Sequence, residues 1–197
     1  MSHKAILVAA AAVFLGLFIG LFNMERTEPN TTVSLEEIKE TIKHKEKKVV
    51  DTTSNIVNLE LETGTVVIEL LPDVAPETVK SFKNLVSKGF YDGLTFHRVI
   101  PGFMAQGGDP EGTGMGNAGF KLKAEFNTTK HVRGTVAMAR STDPNSASCQ
   151  FYICYGPQPH LDGQYTVFGQ VTSGMELIDG VKNGSIMKKL SIVEKGE

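Results

Sequence analysis

Residues 96–109 read Phe96-His97-Arg98-Val99-Ile100-Pro101-Gly102-Phe103-Met104-Ala105-Gln106-Gly107-Gly108-Asp109, two extended segments on either side of a Pro-Gly break. Thr95 to Ile100 reads as a strand, Pro101-Gly102 interrupts it, and Phe103 to Gln106 resumes extended. Successive side chains on a strand point to opposite faces, so His97 and Arg98 look in opposite directions. His97 is read as structural. Asp92-Gly93 forms the turn that leads in.

Working toward the N-terminus, Val57, Leu59 and Leu61 alternate with polar residues. Thr63-Gly64 turns, and Val66, Ile68 and Leu70 alternate again, the pattern of a β-hairpin. Pro76 to Lys88 predicts a helix: Pro76 suits the first turn, Val79, Phe82, Leu85 and Val86 share one face, and Gly89 stops it. Working toward the C-terminus, strands are expected at Thr135 to Ala139, Gln150 to Tyr155, Tyr165 to Val171 and Leu190 to Glu194. Met175 to Val181 reads as a short helix. Many short strands with Gly and Pro turns and only two helices imply a mainly β domain over 55–197, a closed antiparallel barrel.

Hydrophobic residues make up 41% and charged residues 21% of the 197, enough for a buried core. A formal charge of −2 gives no electrostatic reason to expect nucleic acid. The histidines are scattered, and Cys149 and Cys154 lack zinc-site spacing. Their odd separation on one strand would put the two thiols on opposite faces, so no local disulfide is expected.

The run from Ala5 to Phe22 holds no charged or strongly polar residue and ends at Asn23-Met24-Glu25-Arg26. It is near the lower limit for spanning a hydrocarbon core of about 30 Å. It is also longer than the roughly 7–15 residues of a signal-peptide core, and no small-x-small cleavage site follows Phe22. An uncleaved membrane anchor over 1–22 is therefore favoured over a cleaved signal, which would give a secreted form. The weak positive-inside bias of Lys4 places the rest of the chain outside the cytoplasm. Residues 23–54 form a charged linker, in which Ser34-Leu35-Glu36-Glu37 reads as a capping box opening a short helix through Ile38 and Ile42.

The segments Phe96 to Asp109, Ser148-Cys149-Gln150-Phe151-Tyr152-Ile153 and Leu161-Asp162-Gly163-Gln164-Tyr165-Thr166-Val167-Phe168-Gly169 together resemble cyclophilins, in order and spacing, from about Asn55 to Glu194. The resemblance implies an eight-stranded antiparallel barrel capped by two helices, with a proline-binding groove on an outer face. It also implies peptidyl-prolyl cis-trans isomerase activity on proline-containing polypeptides, without a cofactor, in a catalytic domain expected to be monomeric. The short connection from Gly89 to Thr95 and the Gly-rich stretch after Asp109 look like bacterial-type members.

Those residue types suit the reaction. Rotation about a peptide bond faces a barrier of roughly 18–20 kcal/mol because of its double-bond character. No nucleophile is required. A permanently charged, rigid guanidinium aimed at the prolyl nitrogen would favour the twisted state, and Arg98 is the catalytic candidate. By resemblance, Phe103, Met104, Tyr152 and Leu161 form the apolar proline slot, with Ala139 and Tyr165 along the groove. Gln106 and Gln150 would hold the substrate backbone.

Four departures stand out. His160 occupies the place where many eukaryotic cyclophilins have Trp, which bears on cyclosporin binding. Arg140 stands where Asn often contacts the peptide backbone, and Tyr165 replaces a common His. Tyr152 replaces Phe, adding a hydroxyl that needs a partner if buried. Gly112-Thr113-Gly114-Met115-Gly116 reads as a mobile surface loop rather than a phosphate loop. Asn127-Thr128-Thr129 fits a glycosylation acceptor. A His97, Asp109 and Ser141 hydrolase triad lacks any nucleophile-elbow sequence and is rejected. The alternative from another class is a non-catalytic proline-peptide binding module at the membrane.

Overall fold

Alternation of apolar and polar residues makes the first hairpin. In this computed structural model, which describes residues 54–193, β1 (Ile56–Leu61) pairs antiparallel with β2 (Gly64–Leu70), Val57 opposite Ile68 and Leu59 opposite Val66. The inward set Val57, Leu59, Val66 and Ile68 is fully buried. The expectations for the N-terminal anchor, the linker helix and Glu194 lie outside the described residues.

The remaining strands are β3 (Arg98–Ile100), β4 (Met104–Gly107), β5 (Thr135–Met138), β6 (Phe151–Cys154), β7 (Val167–Ser173) and β8 (Lys189–Ile192). All eight form one antiparallel sheet in the order β3-β4-β6-β5-β7-β2-β1-β8. The expected closure is met only in part, since the edge strands β3 and β8 do not pair and the sheet curls into a half-barrel. The segments just before them are joined instead, through a Thr95–Ile186 bridge. Phe96 N–H donates to Ser185 O, and Met187 N–H to Leu94 O. That is why the strand expected from Thr95 begins only at Arg98: the backbone before it is bonded across the seam. The strand expected from Tyr165 begins at Val167, because residues 161–164 are folded into a turn closed by Gln164 N–H on Leu161 O.

Helix α1 (Pro76–Ser87) starts with Pro at its first turn, but its N-cap is Ala75, which has no side-chain oxygen. Glu125 supplies the missing acceptor, its carboxylate taking the Glu77 and Thr78 amides at 3.1 and 2.8 Å. Phe82 on the inner face of α1 then packs against Tyr91, Phe151 and Phe168, with ring centroids 5.0–5.6 Å apart. The second helix, α2 (Met175–Asp179), is shorter than expected and ends at Gly180.

Two apolar clusters result. The larger fills the inside of the half-barrel beneath α1; the smaller is built on Met104, Ala137, Tyr152, Cys154, Leu161 and Val167. Cys149 belongs to the first and Cys154 to the second, both buried and both free. Burial pushes their thiols up, to about 11 and about 12, so neither is a nucleophile at neutral pH.

Candidate active site

Strand register decides which side chains share the outer face. Arg98 lies opposite Gln106, Gln106 opposite Tyr152, and Tyr152 opposite Ala137, one row across β3, β4, β6 and β5. Ile100, Met104 and Cys154 form the next row on the same side. The intervening Val99, Ala105, Ile153 and Val136 point into the core. Phe103 precedes β4, Ala139 and Arg140 follow β5, and Leu161 ends a 3₁₀ turn (Pro159–Leu161) between β6 and β7.

Nine of the ten predicted site residues line a single cavity of about 190 Å³: Arg98, Phe103, Met104, Gln106, Ala139, Arg140, Tyr152, Leu161 and Tyr165. Gln150, the tenth, does not. It lines an adjoining cavity of about 580 Å³, which shares Gln106, Ala139 and Arg140 with the first.

A hydrogen-bonded relay joins the two cavities. Arg98 Nη1 donates to Gln106 Oε1 at 3.2 Å, and Gln106 Nε2 donates to Gln150 Oε1 at 2.9 Å. Gln150 Nε2 in turn donates to the carbonyls of Gly114 and Gly116, at 3.1 and 2.8 Å. The Gly-rich loop is thus tied to the site. Its other anchor is Asp109, 1% exposed, whose carboxylate accepts the amides of Glu111 and Gly114. Burial, the largest influence, pushes the Asp109 carboxyl up, yet backbone amides from Glu111, Gly114 and Gly116 hold it below the usual range.

Arg98 is exposed, and among the described residues no carboxylate lies within 4 Å of it. Its charge is therefore not neutralised by any described carboxylate. Arg140 is employed differently. Its guanidinium donates to the carbonyls of Gln164 and Ser141 and lies over the Tyr165 ring, 4.5 Å from the centroid. His160 lies beside Phe103, ring centroids 5.8 Å apart.

The Tyr152 hydroxyl finds its partner in His131 Nε2 at 3.1 Å, a residue that sequence reasoning passed over. The need for a partner was the available signal, but nothing local in sequence pointed 21 residues upstream. His97, just before β3, does not line the cavity, and burial is the main reason its pKa lies below the usual value. Ser141 Oγ bonds Ser146 Oγ at 2.8 Å rather than a histidine, so no triad is assembled. The Asn127 amide donates to the carbonyls of Glu125 and Val167, a structural use of the presumed acceptor. Among the described residues no cluster of His, Cys, Asp or Glu is arranged to hold a metal.

Residues 56–195 match the family model described as "Cyclophilin type peptidyl-prolyl cis-trans isomerase/CLD". The chain belongs to the cyclophilin family. It is 47% identical over 137 residues to a peptidyl-prolyl cis-trans isomerase of Synechococcus elongatus, covering 68% of this chain and 94% of that protein. It is 49% identical over 135 residues to peptidyl-prolyl cis-trans isomerase B of Bacillus subtilis, covering 67% and 94%. A Cryptosporidium parvum cyclophilin, crystallised in the presence of the dipeptide Ala-Pro, superposes with a TM-score of 0.65 at 30% identity, covering 71% of this chain and 99% of that one. This cyclophilin is a peptidyl-prolyl cis-trans isomerase.

Proposed function

We propose that this cyclophilin isomerises X-Pro bonds seated in the 190 Å³ cavity, with Arg98 as its catalytic residue. The observation that carries the reading is a guanidinium, with no carboxylate of the described residues within 4 Å, at the edge of a slot whose apolar wall is Phe103, Met104, Tyr152 and Leu161. The proline ring fills the slot formed by Phe103, Met104, Tyr152 and Leu161, where about 25 cal/mol is gained per Å² of apolar surface covered. As the imide twists, conjugation is lost and the prolyl nitrogen becomes basic. Arg98 then donates to that nitrogen, an interaction made in the transition state and not in either planar ground state. Gln106 holds the guanidinium in place and has one amide hydrogen left for the substrate backbone, while Gln150, its own amide hydrogens committed to Gly114 and Gly116, braces Gln106 from the adjoining cavity. Arg140, with its donors committed to Gln164 and Ser141, supports the groove by bracing Tyr165. Ala139 leaves room for the peptide between them.

The Ala-Pro dipeptide present with the Cryptosporidium relative supports the choice of ligand. The resemblance to single-domain cyclophilins supports a monomeric catalytic domain, and positions 98–165 of one copy suffice to line the cavity. The apolar run from Ala5 to Phe22 anchors the chain in a membrane, with the isomerase on the extracytoplasmic side. Among the described residues no helix is long and apolar enough to cross a membrane.

Exchange NMR on a short Ala-Pro peptide tests the site. Arg98→Ala should lower kcat/KM by about a hundredfold or more, as loss of a transition-state donor does, with peptide binding largely kept. Wild-type turnover in that variant would remove Arg98 from the mechanism.

A further inference from the structure

His131 is 1% exposed and lies beneath the cavity without lining it. Its Nδ1 is 3.1 Å from Asp162 Oδ1, and its own backbone N–H donates to the same oxygen at 2.9 Å. Its Nε2 is 3.1 Å from the Tyr152 hydroxyl, and the two rings stack at 6.1 Å and 13°. One imidazole therefore touches both the strand that carries Tyr152 and the turn residue that directly follows Leu161.

The chemistry of the partners fixes the protons. An ionised carboxylate only accepts, so Nδ1 of the imidazole carries the hydrogen. Asp162 stays ionised: the His131 amide is the largest cause holding its carboxyl down, at about 2. Burial is the main influence on the imidazole itself and favours the neutral ring. Nε2 is then an acceptor, and the Tyr152 O–H donates to it. Tyr152 is thereby held by its hydroxyl as well as by packing.

We infer that His131 is a positioning residue of the proline pocket, holding the Tyr152 floor and the Asp162 turn beside Leu161 at a fixed separation. The inference rests on the reading of the cavity as the proline seat. Its consequence is a pocket whose fit depends on the protonation of a group that never meets substrate. Several groups face His131. Asp162 bonds it and Tyr152 donates to it; Tyr165 meets its ring edge-on, Lys130 neutralises the far oxygen of Asp162, and His160 adds a weak repulsion. In acid the imidazolium presents N–H at both nitrogens. The Tyr152 proton then loses its acceptor, and the floor must shift.

The test uses the full-length chain and an Ala-Pro peptide, with kcat and KM separated. His131→Phe should raise KM about tenfold, the effect of orphaning one buried hydroxyl, with kcat within about twofold of wild type. KM of the wild type should rise as pH falls below the ordinary histidine range, and in His131→Phe that rise should vanish. Adding Tyr152→Phe removes the orphaned hydroxyl, so the double variant should recover most of the lost KM rather than adding a second loss. Because His131→Phe could fail to fold, the ¹⁵N signals of the wild-type imidazole give an independent check: a proton on Nδ1 and none on Nε2. A proton on Nε2, an unchanged KM, or equal losses in kcat and KM would each overturn the inference. Arg98→Ala separates it from the underlying reading, which fails only if that variant keeps full acceleration.

Discussion

Gln106 accepts from Arg98 at 3.2 Å and hands its own amide hydrogen to Gln150, so it orients the guanidinium without neutralising it. A carboxylate there would hold Arg98 more firmly but would compete with the prolyl nitrogen for its charge. Gln106→Glu should therefore lower kcat about tenfold by forming a charged pair with Arg98, and Arg98→Lys should not restore activity, because an ammonium lacks the planar fork. Both are read from kcat in the exchange assay. Asp162 gives a pH test at the same scale. Its folded carboxyl is depressed from 3.8 to about 2, chiefly by the His131 amide. The stability it contributes is complete above about pH 4 and is lost as pH falls toward 2. Asp162→Asn should flatten the acid limb of a stability-against-pH curve in that window, and an unchanged limb would show that the carboxylate is not held in this way. At the residue scale the apolar slot was legible in the sequence, but its support was not. The extra hydroxyl of Tyr152 announced a need; only the packing of the segment before β5 against β6 names His131 as the group that meets it.

Among the elements, α1 shows where local rules end. Pro76 and the spacing of Val79, Phe82, Leu85 and Val86 suffice to place the helix. They do not reveal its cap, because Ala75 cannot accept and Glu125 comes from 47 and 48 residues away. Glu125→Ala should cost about 1 kcal/mol, the usual worth of a lost N-cap, measured as a lower denaturation midpoint at unchanged slope. No change would mean that water replaces the carboxylate without loss. The strand β3 makes the converse point. Thr95 to His97 has the composition of a strand, yet β3 starts at Arg98. Its shortness comes from backbone bonds to residues 184–187, which no window of local sequence contains. Gly108 ties the elements to the site. Its φ is +82°, and a Cβ there would stand 2.7 Å from Cys149 O, so neither conformation nor space admits another residue.

At the scale of the whole molecule, the proposed reading gives the matched domain and the apolar N-terminal run separate ends, catalysis and anchoring. The curated relatives from Synechococcus and Bacillus are matched over 94% of their length by the domain alone, so an isomerase of this family needs little else. The cavity draws every lining residue from positions 98–165, and the seam that holds the half-barrel together lies within positions 94–187. Among the described residues, the proposed chemistry is complete within positions 98–165. As a helix, Ala5 to Phe22 would be about 27 Å long, close to the hydrocarbon thickness of a bilayer. Its sixteen apolar side chains would give far more transfer energy than is needed to keep the chain at a membrane. Truncation to residues 54–197 should therefore leave kcat/KM on a short Ala-Pro peptide within about twofold of the full chain, while abolishing sedimentation with membranes after alkaline extraction. If the full chain is released by alkali, the anchor is not integral, and the cleaved or peripheral alternative takes its place. If instead the truncated chain loses turnover on the short peptide, the N-terminal residues contribute to the domain itself, and the separation of anchoring from catalysis fails.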